Sequence, residues 1–214
     1  SNNIGESPEF GMGFSTLPAS VNVGGYREYT FEPNKDAMLN NQSSGTNYGT
    51  QNTMMSGDSA GAEHYVGMMN FDLTSIQGTI VSAMMRIYVT EASTHTHCVQ
   101  VTNNNVTGTT WTEMGVTYAN RPTGVFSARV GYGPSQANSW LDIDITSIMP
   151  ALTAGNYTLR VSGVSNLSTD HFTFHSRENT NKPQLIVETD LTNVTTVYDM
   201  QFTESVGNRV NWIT

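Results

Sequence analysis

Short runs in which apolar and polar residues alternate recur along most of this 214-residue chain. Alternation with a period of two sends successive side chains to opposite faces of an extended backbone, so each run predicts a half-buried β-strand. Glycine, asparagine and proline separate the runs at intervals of roughly 10–15 residues, which is typical of a β-sandwich. The predicted strands are Arg27–Phe31, Tyr65–Phe71, Ala83–Val89, Cys98–Val101, Trp140–Ile145, Tyr157–Val161, His171–His175 and Leu185–Thr189.

Little in the sequence favours helix. Only Ser147–Leu152 predicts a single helical turn, and no longer segment shows the periodicity of an amphipathic helix. Apolar residues make up 37% of the chain and charged residues 13%, both low values, and threonine, serine, asparagine and glycine fill the difference. Because threonine suits half-exposed strands while asparagine and glycine suit turns, this composition predicts an all-β fold.

Segments at both ends lie outside the predicted sandwich of residues 26–190. Residues 1–25 precede the first strand, and because the chain begins without methionine we expect either a removed leader or a vector-derived stretch before Met12. Residues 191–214 follow the closing strand and contain further apolar and aromatic runs. An apolar extension is expected to pack on its own domain or to pair with the sheet edge of a neighbouring copy.

The chain is acidic, with a formal net charge of −9 and two lysines, Lys35 and Lys182. No basic patch is evident in the sequence, which argues against nucleic acid and anionic membranes as partners. No apolar run reaches about eighteen residues, so membrane insertion is not expected. The single cysteine, Cys98, cannot form an internal disulfide and is expected in the core.

Several short phrases, each joining a strand-like run to a turn, occur in a fixed order along residues 30–190. They are Asp36–Ala37, Asn47–Gly49, Phe71–Thr74, Trp111–Glu113, Thr117–Tyr118, Arg121–Pro122, Asp144–Thr146, Ser176–Glu178 and Lys182–Pro183. In this order they resemble the DNRLRE family, whose members are also classed as a carbohydrate-binding module family. Tyr118 departs from the family pattern, which usually has tryptophan there. The resemblance implies an antiparallel β-sandwich of jelly-roll type on secreted or cell-surface proteins.

Charged residues within these phrases have two interpretations. They are Asp72, Glu113, Arg121, Asp144, Arg177 and Glu178. A pair of carboxylates could hydrolyse glycosides, but that chemistry needs a cleft and a proton donor with a raised pKa, neither of which a sequence displays. We favour a structural network that ties loops to the edge of the sandwich, with a bidentate pair between Arg177 and a carboxylate. No catalytic residue is therefore predicted.

Metal sites are weaker predictions. A calcium ion could bind oxygen ligands in one long polar loop, together with backbone carbonyls, although the spacing of an EF-hand is absent. The candidate calcium ligands are Asp36, Asn47, Asp58 and Glu63. Zinc would need three or four converging ligands. The histidines at 95, 97, 171 and 175 form two same-face strand pairs, which we interpret as facing solvent.

Exposed aromatic rings are the expected sugar contacts, since pyranose rings pack on flat faces. Tyr48, Tyr65 and Tyr132 are the preferred candidates because glycine-rich sequence surrounds them, and Trp111 and Tyr118 are weaker ones. Trp111 and Trp140 are expected to be largely buried. The acidic composition argues against strong binding of polyuronates unless calcium bridges the charges.

Two functions remain open. The first is a non-catalytic, secreted module that binds polysaccharide, as the family resemblance implies. The second is a structural subunit of a surface assembly, such as a filament, an adhesin or a virion decoration protein, whose terminal extensions add a strand to a neighbouring copy. The expected partner is a polysaccharide in the first case and further copies of the chain in the second.

Overall fold

The computed structural model describes residues 21–22, 25–59, 63–103, 110–122, 129–134, 136–149, 155–163, 171–192 and 195–196. All strand pairs in these ranges are antiparallel. The strands are β1 Val21–Asn22, β2 Tyr26–Phe31, β3 Lys35–Asn40, β4 Thr53–Ser59, β5 Glu63–Asp72, β6 Thr79–Glu91, β7 His97–Asn103, β8 Val130–Tyr132, β9 Ser139–Asp144, β10 Asn156–Gly163, β11 His171–His175, β12 Gln184–Asp190 and β13 Thr195–Thr196.

The main sheet curls into two layers that face one another. In the first layer β6 is central, since it pairs with β12, β11 and β9, while β2 extends β12 and β4 extends β11. In the second layer β5 and β10 pair with each other and are flanked by β3 and β7, with β8 at the edge. The β4–β5 hairpin joins the layers. One buried apolar cluster contains inward side chains from both layers, which confirms the predicted antiparallel β-sandwich.

The eight predicted strands are all present, and most extend by a few residues beyond the predicted ends. Alternating burial is clearest in β6, β11 and β12, where each strand has one face on the core and one towards solvent. The helical turn predicted over residues 147–152 is a short 3₁₀ helix at Thr146–Ile148. Cys98 is buried, as expected. No helix in the described ranges is long and apolar enough to cross a membrane.

The predicted long polar loop is wrong, because three of its four candidate ligands lie in strands. Asp36 lies in β3, Asp58 lies in β4 and Glu63 begins β5. Five of the six residues of β3 are buried, so this strand shows no alternation for a sequence pattern to detect. The cause is a second covering layer that hides its outer face.

That covering layer is the segment of residues 110–122, which we call the cover segment. It packs on the outer face of β3 and β5 and closes a second apolar cluster there. The cluster consists of Ala37, Leu39, Val66, Met68, Trp111 and Val116, with Tyr118 packed against it. The outer face of the second layer is therefore partly enclosed.

The described parts of the two terminal extensions contact each other. β1 pairs with β13 through Val21↔Thr196 and Asn22↔Thr195. The other residues of both extensions, 1–20, 23–24, 193–194 and 197–214, lie outside the described part of the chain. Strand exchange between copies therefore stays a prediction.

Gly67 marks a close approach between the two layers. It lies in β5, and a Cβ atom built on it would be 2.7 Å from Cζ of Phe174 in β11, whose side chain is fully buried. The ring of Phe174 thus fills the space that a side chain at position 67 would need.

Replacing Gly67 by alanine should force the two layers apart or displace Phe174. We expect Gly67→Ala to lower the free energy of unfolding by about 1–3 kcal/mol, the usual cost of overpacking a core. Urea denaturation measures this change. Gly45→Ala is the matched control, because a Cβ at Gly45 meets nothing within 4 Å, and equal losses in the two variants would contradict the packing argument.

Candidate functional site

Three distant chain segments meet where β3 begins. The backbone N–H of Arg177 donates to Oδ2 of Asp36 at 2.7 Å, and the backbone N–H of Asp36 donates to Oε1 of Glu113 at 2.9 Å. Nη1 of Arg177 then donates to both carboxylate oxygens of Glu113, at 2.9 and 3.0 Å. One guanidinium nitrogen makes both contacts, so the pair differs from the expected two-nitrogen fork. These bonds link β3, the cover segment and the turn after β11.

Burial dominates the electrostatics of this link. Asp36 is 1% exposed as a residue, and the loss of solvation raises the pKa of its carboxyl to about 7. The charges of Glu178 and Glu113 push the pKa in the same direction, while the N–H bond and charge of Arg177 oppose them. One carboxylate oxygen from each of Asp36, Glu113 and Glu178 lies within 4.8 Å of the other two. The guanidinium of Arg177 lies beside this acidic group and partly neutralises it.

The cover segment is held by further hydrogen bonds from β3 and from the loop that follows it. The side-chain amide of Asn47 donates to the carbonyls of Glu113 and Val116, both at 2.7 Å. Nζ of Lys35 donates to the carbonyl of Trp111 at 2.6 Å. The indole N–H of Trp111 donates in turn to Oγ1 of Thr158 in β10 at 2.9 Å. The polar groups of this loop therefore anchor the cover segment to the sheet.

The remaining members of the predicted network lie elsewhere. Asp72 and Asp144 each accept a backbone N–H two residues on, from Thr74 at 3.0 Å and Thr146 at 2.9 Å, and these threonine bonds lower the pKa of both carboxyls. Each aspartate thus caps the turn that ends its strand. Arg121 belongs to the cover segment, and its guanidinium stacks on the ring of Tyr118 in the same segment.

The four candidate calcium ligands do not share a loop. Asp36 faces Glu113 and Glu178, and the amide of Asn47 holds the cover segment. Asp58 and Glu63 belong to the paired strands of the β4–β5 hairpin. A calcium site at these four residues stays a prediction.

The aromatic residues predicted to contact sugar are half-buried or buried. Trp111 is buried, and Tyr48, Tyr65 and Tyr132 pack against the main core. Tyr65 and Tyr132 lie in strands, not in the loops that the surrounding glycines indicate. Tyr118 lies beneath the guanidinium of Arg121, 3.7 Å from ring centre to Cζ. Their contact with a glycan stays a prediction.

His97 differs from its predicted orientation. Its imidazole is buried, with Nε2 2.9 Å from Oγ of Ser93 and Nδ1 3.4 Å from Oγ of Ser56. The prediction of a solvent-facing side chain is therefore wrong here, because two serines satisfy the ring nitrogens inside the sandwich.

The structure also exposes an aromatic surface that the sequence interpretation missed. Trp140 of β9, expected to be buried, is 43% exposed on the outer face of the first layer. Its ring meets the ring of Tyr88 edge-on at 5.4 Å, and the guanidinium of Arg86 lies 6.0 Å from its centre. Arg86 forms a two-nitrogen pair with Asp142, at 2.6 and 2.8 Å. We call Arg86, Tyr88, Trp140 and Asp142 the Trp140 face.

The alternation of side chains along β9 could have predicted that Trp140 is exposed. In β9 it shares a face with Asp142 and Asp144, whereas Ile143 points to the core. Cross-strand pairing sets Trp140 against Tyr88 and Asp142 against Arg86. The general tendency of tryptophan to be buried is therefore overridden by its register with charged residues.

Comparison with known proteins gives one family match. The model of carbohydrate-binding module family 96 matches residues 27–189. No curated protein matches the chain. Among solved structures, a TmCBM61 complex with beta-1,4-galactotriose shares 8% identity, a TM-score of 0.27 and coverage of 81% of this chain and 88% of that chain.

An exo-beta-1,3-galactanase from Phanerochaete chrysosporium, solved with galactose, shares 9% identity and a TM-score of 0.33. The match covers 75% of this chain and spans 29% of the length of the galactanase. Structural likeness at such scores bears on neither ligand nor activity.

The raised pKa of Asp36 predicts a specific pH dependence. Between pH 3.8 and about 7 the folded protein retains a proton that the unfolded chain has released, so this residue lowers the free energy of unfolding as pH rises. Asp36→Asn keeps an oxygen acceptor for the N–H of Arg177 but removes the titration. We expect the stability of the variant relative to the native protein to increase from pH 5 to pH 8. Denaturation at both pH values measures the difference, and Asp72→Asn should show no change over this range, because the lowered pKa of Asp72 leaves it ionised in the folded and the unfolded protein at both pH values.

Proposed function

This chain belongs to carbohydrate-binding module family 96, and we propose that it is a non-catalytic, extracellular module that binds polysaccharide through the Trp140 face. The exposed indole ring of Trp140 is the observation that carries the proposal. The polysaccharides of cell walls and extracellular matrices lie outside the cell, which supports an extracellular location.

The Trp140 face combines the two chemistries that a sugar ring requires. The apolar C–H face of a pyranose can pack on the flat indole, which removes apolar surface of both partners from water. The hydroxyl groups at the ring edge need donors and acceptors, and Arg86 and Asp142 supply both beside the indole.

Rigidity favours binding at this face. All four residues stand on paired strands, β6 and β9, and the two-nitrogen bond fixes the Arg86 and Asp142 side chains. A surface that is already ordered loses little conformational entropy when a ligand binds.

The charge states of the described carboxyls support a non-catalytic role. A glycosidase needs a carboxylic acid with a raised pKa at the sugar. Hydrogen bonding to Arg86 lowers the pKa of Asp142 at the Trp140 face. Among the described residues the raised carboxyl pKa belongs to Asp36, which is buried beneath Arg177. The carboxyl with the raised pKa, that of Asp36, therefore lies away from the surface proposed to hold sugar.

Removing the indole should weaken glycan binding. We expect Trp140→Ala to lower affinity by about tenfold or more, because a stacked ring contributes about 1–2 kcal/mol. Titration calorimetry against a panel of soluble glucans, galactans, xylans and uronans identifies the ligand and measures the loss. Tyr26→Ala is the matched control, since Tyr26 is 69% exposed on β2. Unchanged binding by the Trp140 variant, or equal losses in both, would overturn the assignment of this face.

A further inference from the structure

β2 forms an edge of the main sheet. Within the described residues it pairs with β12 alone, from Phe31↔Leu185 to Tyr26↔Asp190, so its other side carries no strand. Such an edge presents a row of backbone N–H and C=O groups that a further strand can bind. Proline and bulges often block an edge of this kind, but β2 contains no proline and pairs with β12 in one unbroken register. Its six residues can therefore accept an added strand.

The inner side of this edge is apolar and only partly covered. Tyr29 and Phe31 pack against the main core and stack on each other with ring centres 6.0 Å apart, yet both remain half-buried. Tyr26, Glu28 and Thr30, on the other face of β2, are exposed. A strand added beside β2 would cover the two rings with its apolar face and leave its polar face to solvent. Such burial removes apolar surface from water and favours the contact.

The C-terminal extension contains a run that fits this edge. Residues 198–203 read Tyr-Asp-Met-Gln-Phe-Thr, a strict alternation of apolar and polar side chains with the same length as β2. Alternation with a period of two predicts a strand with one apolar face. The N-terminal extension has a similar run at residues 10–15, Phe-Gly-Met-Gly-Phe-Ser, but two glycines weaken it as a strand. The C-terminal run is therefore the better donor.

The position of β13 keeps this run from pairing antiparallel with β2 of its own chain. β13 pairs with β1, which precedes β2, so Thr196 lies at the Tyr26 end of β2. An added antiparallel strand would have to begin beside Phe31, at the other end of β2 and about 17 Å away. The two steps from Thr196 to Tyr198 span at most about 7 Å. Antiparallel addition thus requires a second copy of the chain.

We propose that residues 198–203 of one copy add as an antiparallel strand to β2 of a second copy, which links copies into open chains. The donor run and the acceptor edge are different surfaces, so one copy can give a strand to one neighbour and accept a strand from another. A heterologous contact of this kind continues from copy to copy unless its rotation closes a ring. Main-chain hydrogen bonds supply the affinity of an added strand, and its alternate side chains supply the specificity.

The apolar rows fix the register of the added strand. A shift by one residue would turn its apolar side chains to solvent, so Met200 has to share a face with Tyr29. In the fully overlapping register the opposed pairs are Tyr198 and Phe31, Asp199 and Thr30, Met200 and Tyr29, Gln201 and Glu28, Phe202 and Arg27, and Thr203 and Tyr26. Apolar side chains then meet across the strands, and no like charges oppose each other.

This assembly goes beyond the proposed glycan binding and leaves the Trp140 face open. β12 and β9 pair with opposite sides of β6, so β2, which extends β12, lies on the side of β6 away from Trp140. A chain of copies would present many Trp140 faces to one polymer. Binding through several faces at once raises the avidity for a long polysaccharide without any new contact.

Sedimentation of the full chain at increasing concentration tests the exchange. We expect the native protein to form oligomers that grow with concentration, and Met200→Asp, which puts a charge into the apolar row, to weaken association by about tenfold or more. Met114→Asp is the matched control, because Met114 is 66% exposed on the cover segment, outside the proposed contact, and it should associate like the native protein. Thermal denaturation verifies that both variants fold.

Disulfide trapping tests the partner and the register. Thr30→Cys and Asp199→Cys are made in separate chains and mixed under mild oxidation. The mixture should form a cross-linked dimer that neither variant forms alone, because opposed residues of antiparallel strands lie within reach of a disulfide. Thr30→Cys mixed with Thr203→Cys is the control, since these positions are not opposed, and it should cross-link far less.

Contrary results would identify what is wrong. A full chain that stays monomeric at every concentration, or equal losses in Met200→Asp and Met114→Asp, would overturn the proposal. Cross-linking within single, dilute chains of Thr30→Cys/Asp199→Cys would overturn it too, because the strand would then pair with its own sheet. Loss of association in Met12→Asp but not in Met200→Asp would assign the donor to the other extension. None of these results affects the test of the glycan-binding face.

Discussion

The link from Asp36 through Glu113 to Arg177 determines where the cover segment lies. Its hydrogen bonds join residues 77 and 141 positions apart, and they place a carboxyl where solvent is excluded. Burying that carboxyl is unfavourable, so the link persists because each polar group in it finds a partner. The amide of Asn47 reinforces it from the neighbouring loop. With the cover segment anchored in this way, the outer side of β3 and β5 becomes a second small core.

The cover segment gives the two outer faces of the sandwich different surfaces. The first layer keeps an open face, where alternation brings Trp140 and Tyr88 to solvent beside an ion pair. In the second layer the cover segment seals the outer side of β3 and β5 with Trp111 and Val116. The open outer face of the first layer is therefore the one on which we propose that sugar packs.

Alternation in the sequence predicts strands well where only one face is buried. β6 and β12 have an inner apolar row and an outer polar row, so their patterns suffice. The pattern fails for β3, because Asp36 and its neighbours are enclosed from both sides. Enclosure depends on the cover segment, which lies more than seventy residues away in sequence. Trp140 was expected to be buried because tryptophan usually is, and here the alternation is the better guide. Trp140 and Asp142 are two residues apart in β9 and therefore share the exposed face.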